Sequence, residues 1–284
     1  MKSVLVTGAS GFLGGHVVRH LLGKGIRIIV SILPSEQGIY KAPEGVEVVL
    51  NEDIFAGDVK GIDVVIGCAF ARSNDAAQLA DGLDFTEKLI DGLKRCGVRG
   101  VINISSQGIY RRLPFGELAT EDAPAEPVDM YSMAKLATEK MYQCSGIPYV
   151  TQVRLSSLMM KQRFLYRFVT CVKSGQPIQL NAPRAYASLM DVEDAAAGLV
   201  AIAGLDPATW YPVYNLGLGA QYSLQEYAET VVAVGRRLGY DASIEVSDNG
   251  SVAAAGVDVS RLMAQTGWKP QVSNVEMVVK AFTW

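Results

Sequence analysis

Along the first half of the chain, short apolar runs alternate with longer segments of mixed polarity. The runs fall at Ser3–Thr7, Arg27–Ser31, Val46–Leu50, Asp63–Cys68, Gly100–Ser105 and Tyr149–Leu155. Within each run the apolar positions are nearly continuous rather than alternating, which is the pattern of a strand buried on both faces. That predicts a parallel sheet covered by helices on either side, a doubly wound α/β fold. Phe85 to Lys94 carries apolar residues at helical spacing and ends before Gly97, a helix stop. After about residue 155 the alternation breaks down. The pattern divides the chain into a sheet-forming part, 1–155, and a smaller C-terminal lobe made of 156–186 and 217–284. The sheet is expected to be revisited at about 187–216, near Leu189–Leu205 and Val213–Leu216. No Pro/Gly-rich linker separates the parts, so the lobe should sit directly on the sheet's edge.

Composition narrows the function classes. A chain of 284 residues that is 49% hydrophobic and 19% charged has room for one large domain with a generous core. A net charge of −3 leaves no basic excess to replace counterions along a phosphate backbone, so nucleic acid is not an expected partner. No apolar run approaches the roughly 20 residues needed to span a bilayer. The N-terminus enters a strand at once, without the basic flank and apolar stretch of a secretory signal, so a cytoplasmic protein is expected. Cys68, Cys96, Cys144 and Cys171 show no C-x-x-C pairing and are expected to be reduced thiols.

Candidate chemistry begins at Thr7-Gly8-Ala9-Ser10-Gly11-Phe12-Leu13-Gly14, right after the first run. Glycines at three-residue spacing between a strand end and a helix start let the backbone turn tightly. They also let it approach a pyrophosphate and aim free helix N–H groups at it. Further on, Tyr131 and Lys135 stand four apart and share one face of a predicted helix. A nearby ammonium favours the phenolate and would make the tyrosine an acid/base at neutral pH. The plainer alternative is a chance Tyr–Lys pair on an exposed helix. Ser105 and Ser106 end the fifth run, where side chains face the ligand crevice of an open α/β sheet; simple turn chemistry is the alternative there. His16 and His20 are four apart on the first helix without a carboxylate or thiol motif beside them, so no metal site is expected. Gly8-Ala9-Ser10-Gly11-Phe12 lacks the second glycine of a hydrolase G-x-S-x-G elbow.

Taken in order, these pieces resemble the extended short-chain dehydrogenases/reductases, in the branch of nucleotide-sugar epimerases, dehydratases and ketoreductases. The matching stretches run from TGASGFLG (7–14) through Asp53-Ile54, ISSQGIY (104–110), Glu121, YSMAK (131–135) and Arg154. They continue through RAYASLMDVEDAA (184–196), YNLG (214–217) and GWKP (267–270). The resemblance implies a Rossmann fold with a C-terminal substrate-binding lobe, and a nicotinamide dinucleotide as cofactor. It makes Tyr131 the acid/base, Lys135 its electrostatic partner and ribose ligand, and Ser106 the hydroxyl that orients the reacting oxygen. Gly8, Ser10, Gly11, Phe12, Leu13 and Gly14 would surround the pyrophosphate. Asp53 and Ile54 would flank the adenine. Cys68, Ala69, Phe70, Ser105 and Ser156 would line the rest of the cofactor, and Gln107 and Ser157 would face the substrate. It also implies a homodimer through helices near 75–96 and 129–145.

The chain departs from this pattern in places. The acidic residue that usually ends the second strand and binds the ribose 2′-OH of NAD is replaced by Ile32, which tilts the cofactor toward NADP over NAD. A family asparagine aligns with Gly82, and the Gly-Pro pair after Arg154 is absent. Family dehydratases place Asp-Glu directly after the catalytic Ser/Thr, whereas Gln107-Gly108 stand here.

Between Glu139 and Asp191 there is no carboxylate, yet Lys140, Arg154, Lys161, Arg163, Arg167, Lys173 and Arg184 occur. A solvated basic face is the plain reading. Beside a catalytic cleft, Arg163 and Arg184 would instead clamp the diphosphate of a nucleotide sugar. The sequence thus points to an NAD(P)-dependent reductase of a keto-sugar nucleotide. An epimerase that retains its cofactor, a reductase of a non-sugar ketone, and a non-catalytic dinucleotide sensor are the alternatives.

Overall fold

The structure, a computed structural model, describes residues 1–110, 113–114, 116–161, 163–247, 250 and 255–284. The strands of its central sheet are β1 (Ser3–Thr7), β2 (Arg27–Ile32), β3 (Val46–Leu50), β4 (Val64–Gly67), β5 (Gly100–Ser106) and β6 (Tyr149–Leu155), joined by Val213–Leu216. Their order across the sheet is Val213–Leu216, β6, β5, β4, β1, β2, β3, with every pair parallel. The chain runs outward from β1 to β3 and then returns to lay β4 on the other side of β1. The order reverses between β1 and β4, and in an open α/β sheet the ligand crevice lies outside the carboxyl ends of such strands.

Apart from the edge strand β3, the strands bury both faces. Along β1, Val4 and Val6 join one hydrophobic cluster and Leu5 the other, the period of two that a pleated strand imposes. On the Val4 side lie helices α1 (Phe12–Leu21) and, from the later chain, α6 (Val192–Gly204). On the Leu5 side lie α2 (Asn51–Ala56), α3 (Ala76–Cys96) and α4 (Met130–Gln143). The α3 helix starts at Asp75, whose carboxylate accepts from Gln78 N, and ends at Gly97 with a left-handed φ of +70°.

A third cluster gathers Leu165, Val169 and Val172 of α5 (Phe164–Lys173) with Tyr227 and Val231 of α7 (Leu224–Arg237) and Met277 and Val278 of the helix Asn274–Phe282. The stretch Leu189–Leu205 differs from the expected return to the sheet. Only Leu189–Met190 is extended, and it pairs with Ser157–Leu158 outside the main sheet. The rest is α6, whose apolar, alanine-rich sequence packs against α1 instead of pairing as a strand. Its N-terminal Glu193 binds His16 Nδ1 at 2.6 Å and His20 Nε2 at 2.7 Å. The two histidines of α1 therefore fasten the helices together.

Candidate active site

The glycine loop is shaped by steric necessity. Gly8 has φ +66°, and a Cβ on it would lie 2.9 Å from the backbone of Ala69, because the loops leaving β1 and β4 nearly touch. A Cβ on Gly14 would fall on the carbonyl oxygen of Gly8. Gly11 caps α1 with no side chain over the helix end, and the first turn carries no acid. The unpaired N–H groups and positive dipole end of α1 are thus open to an anion. We expect Gly14→Ala to displace this loop at a cost of about 1–3 kcal/mol and to weaken dinucleotide binding about tenfold or more. Fluorescence titration with NADPH measures this, and unchanged affinity would contradict a cradle built on that close approach.

In front of the loop lies a cavity of about 430 Å³. It brings together Gly8, Gly11, Phe12, Leu13, Gly14, Cys68, Phe70, Ser105, Ser106, Gln107, Tyr131, Lys135, Ser156, Ser157 and Arg163 from segments scattered over the sequence. The oxygens Ser105 Oγ and Gln107 Oε1 are shut away from solvent without a hydrogen-bond partner. Unsatisfied polar atoms in a cavity wall fit a ligand that completes them. The glycine cradle, the open helix end and these two oxygens together fit a dinucleotide.

Other expected residues lie elsewhere. The Asp53 carboxylate accepts from Leu50 N at 2.8 Å and closes the start of α2, while Ile54 is fully buried in the core. Ser10 faces a neighbouring groove lined also by Arg19, Glu36, Tyr40 and Lys41. Ala69 does not line the cavity; its N–H donates to Thr7 Oγ1 at 3.3 Å. Arg184 is exposed in the loop after the short strand Ile178–Leu180 and does not line it either. Two charged lining residues, Asp129 and Arg72, are among those that escaped the sequence reading. Asp129 caps α4, its Oδ1 accepting from Ser132 N at 2.7 Å. Arg72 lies two residues beyond the Cys68–Phe70 stretch, on a loop whose inward course follows only from the strand order.

Within the cavity, α4 presents Tyr131 and Lys135 on one face and Glu139 a turn further. Glu139 is fully engaged by the buried Arg154 of β6, with oxygens 3.1 Å from Nε and 3.0 Å from an Nη. Lys135 is 3% exposed, and burial draws its ammonium down to about 8 against the opposing pull of Glu139. Its Nζ lies 4.3 Å from the centroid of the Phe70 ring, which also meets the Tyr131 ring edge-on at 6.4 Å. Phe70 takes the room left by the missing side chain at residue 82, since a Cβ on Gly82 would stand 2.9 Å from the ring.

The electrostatics of Tyr131 correct the simple picture of a phenol made acidic by its lysine. Burial pushes the phenol up, and the cations that oppose it are Arg72 and Arg163. Ser106 Oγ accepts from Gly108 N at 3.1 Å, which leaves its O–H to donate into the cavity.

The sequence profile of the NAD dependent epimerase/dehydratase family matches residues 4–217, three quarters of the chain. The chain belongs to this family. It is an extended short-chain dehydrogenase/reductase, and so an enzyme of that type. The chain is 26% identical to the dTDP-glucose 4,6-dehydratase of Streptomyces griseus, over 99% of this chain and 93% of that one. It is 32% identical to a dTDP-4-dehydro-6-deoxy-D-allose reductase of a Streptomyces species over 43% of each chain. Among solved structures, MoeE5 in complex with UDP-glucose and NAD superposes with a TM-score of 0.80 at 20% identity. That match covers 99% of this chain and 98% of MoeE5. Family membership accounts for the cradle and for the Tyr131–Lys135 face of α4. Asp129 is the one Asp or Glu among the described residues lining the cavity, and its Oδ1 closes the start of α4.

Proposed function

We propose that the protein is an NAD(P)-dependent reductase of a keto-sugar nucleotide. The observation that carries the reading is the placement of Ser106, Tyr131 and Lys135 in one cavity with the glycine cradle, where Asp129 at the start of α4 is the one lining carboxylate among the described residues. Eliminating water from a sugar needs an acid and a base beyond the tyrosine. Gln107 and Gly108, which follow Ser106, supply neither, and this speaks against dehydration.

A bound nicotinamide would supply the hydride. Tyr131, kept protonated at neutral pH by its burial, donates its proton to the carbonyl oxygen as that oxygen gains charge. Ser106 O–H holds the same oxygen, and Lys135, one turn along α4, adds positive charge beside the site and reaches toward the ribose. Arg163 offers its guanidinium to the substrate's diphosphate, and residues 156–186 and 217–284 form the substrate lobe. For the cofactor, the reading favours NADP. Ile32 ends β2 without an acid, Glu36 is drawn off to Leu33 N at 2.9 Å, and Arg19 and Lys41 line the groove beside Ser10. Exposed Met130 and Met133 on α4 suit a homodimer through α3 and α4, and a cytoplasmic setting fits the free thiols.

The test supplies a 4-keto-6-deoxy nucleotide sugar and NADPH and follows the loss of reduced-nicotinamide absorbance. Stoichiometric oxidation of NADPH with formation of the alcohol is the expected result. Interconversion of sugar nucleotides without net redox change would instead assign an epimerase.

A further inference from the structure

Arg72 belongs to no strand or helix, yet its loop is pinned to Tyr131 on both sides. Two residues before it, the Phe70 ring meets the Tyr131 ring. Two residues after it, Asn74 Oδ1 accepts from the Tyr131 backbone N–H at 3.1 Å. The guanidinium between these anchors lines the cavity from the β4 side. The same cavity is lined by Arg163, the residue that caps α5. Its Nε donates to Leu158 O at 3.3 Å, and the α5 N-terminus behind it has neither a side-chain cap nor an acid in its first turn. No described carboxylate forms an ion pair with Arg72 or Arg163. Two like charges crowd one cavity, and burial with the neighbouring Arg72 draws Arg163 down to about 10. Such a cluster is relieved by an anion.

We propose that Arg72 and Arg163 form a two-sided guanidinium clamp that grips an oxyanion of the substrate beside Tyr131, with the open end of α5 as a further donor. The inference rests on the reading that this cavity takes a sugar nucleotide, and it adds Arg72 as a binding residue. Two planar forks on one cavity suit a phosphate or a carboxylate. The oxyanion is the phosphate on the sugar's anomeric carbon or a carboxylate on the sugar ring. Its arrival neutralises the charge that opposes the burial of Tyr131, so the tyrosine holds its proton more firmly once substrate is bound.

The test is calorimetric titration of the NADPH-saturated protein with UDP-glucose, UDP-glucuronate and inorganic pyrophosphate. It uses wild type, Arg72→Gln, Arg72→Lys and, as a control on the outer face of α5, Arg167→Gln. Because Arg72 is exposed, its variants should keep the wild-type melting temperature and NADPH affinity. Arg72→Gln is expected to weaken binding by about tenfold or more, with Arg72→Lys recovering only part and Arg167→Gln unchanged. Loss for both sugar nucleotides assigns the phosphate, and loss for UDP-glucuronate alone assigns the carboxylate. Wild-type affinity of Arg72→Gln for every probe overturns the clamp and leaves the functional reading standing. If wild type binds pyrophosphate but neither sugar nucleotide, the functional reading fails. The pyrophosphate affinity of Arg72→Gln then still decides the clamp.

Discussion

Tyr131→Phe lowers kcat for keto-sugar reduction by about 10²–10⁴-fold while NADPH binds with its wild-type Kd. The expectation follows from what the phenol oxygen does and what else could do it. The ring stays, so its edge contact with Phe70 and the packing of α4 persist. What disappears is a hydroxyl that burial keeps protonated across neutral pH. Ser106 remains able to hydrogen-bond the carbonyl oxygen, but an unactivated serine does not give up its proton to an alkoxide at a comparable rate. The loss should therefore appear in kcat, with KM nearly unchanged. Steady-state kinetics beside a fluorescence titration separates the two, and a variant retaining more than a tenth of wild-type kcat would remove Tyr131 from the acid role.

Lys135→Met abolishes most of the activity yet raises the stability of the free protein. The ammonium is 3% exposed and drawn down to about 8 from the 10.5 of an unfolded chain. Between those values the unfolded chain binds the proton more tightly, so stability climbs as pH rises through that window. Below about 8 the folded state carries the whole cost of the buried charge. A shift of that size corresponds to about 3 kcal/mol at neutral pH, an upper bound on what removing the charge can recover. Methionine keeps an unbranched apolar stem and removes the charge, so Tm should rise by several degrees at pH 7. The advantage over wild type should shrink toward pH 10.5. A lower Tm for the variant at pH 7 would show that the Phe70 contact and the pull of Glu139 outweigh desolvation. In wild type, kcat/KM for reduction should fall as pH rises through about 8, where the lysine loses its charge in the free enzyme.

Local signals explain why so much was legible in advance. β1, β3, β6 and the Val213–Leu216 strand occupy the expected residues, because a run apolar on both faces has few other places to go. The glycine loop was equally plain, since its spacing answers to steric demands within eight residues of chain. Leu189–Leu205 misled because apolar content alone does not separate a buried strand from a buried helix. The Asp191 carboxylate, accepting from Glu193 N at 2.9 Å, starts a helix there.

By itself the sequence determined the strands, the cradle at the first βα turn, and the helical spacing that puts Tyr131 and Lys135 on one face. Each is written in residues close together along the chain. The tertiary structure decided which distant loops converge on Tyr131, and so which charges act on it. It put Arg72 and Arg163 there, turned Asp129 and Asp53 to helix ends, and set the Lys135 ammonium over an aromatic ring. Electrostatic influence depends on distance through space and on burial, and neither exists until the sheet has brought the loops together.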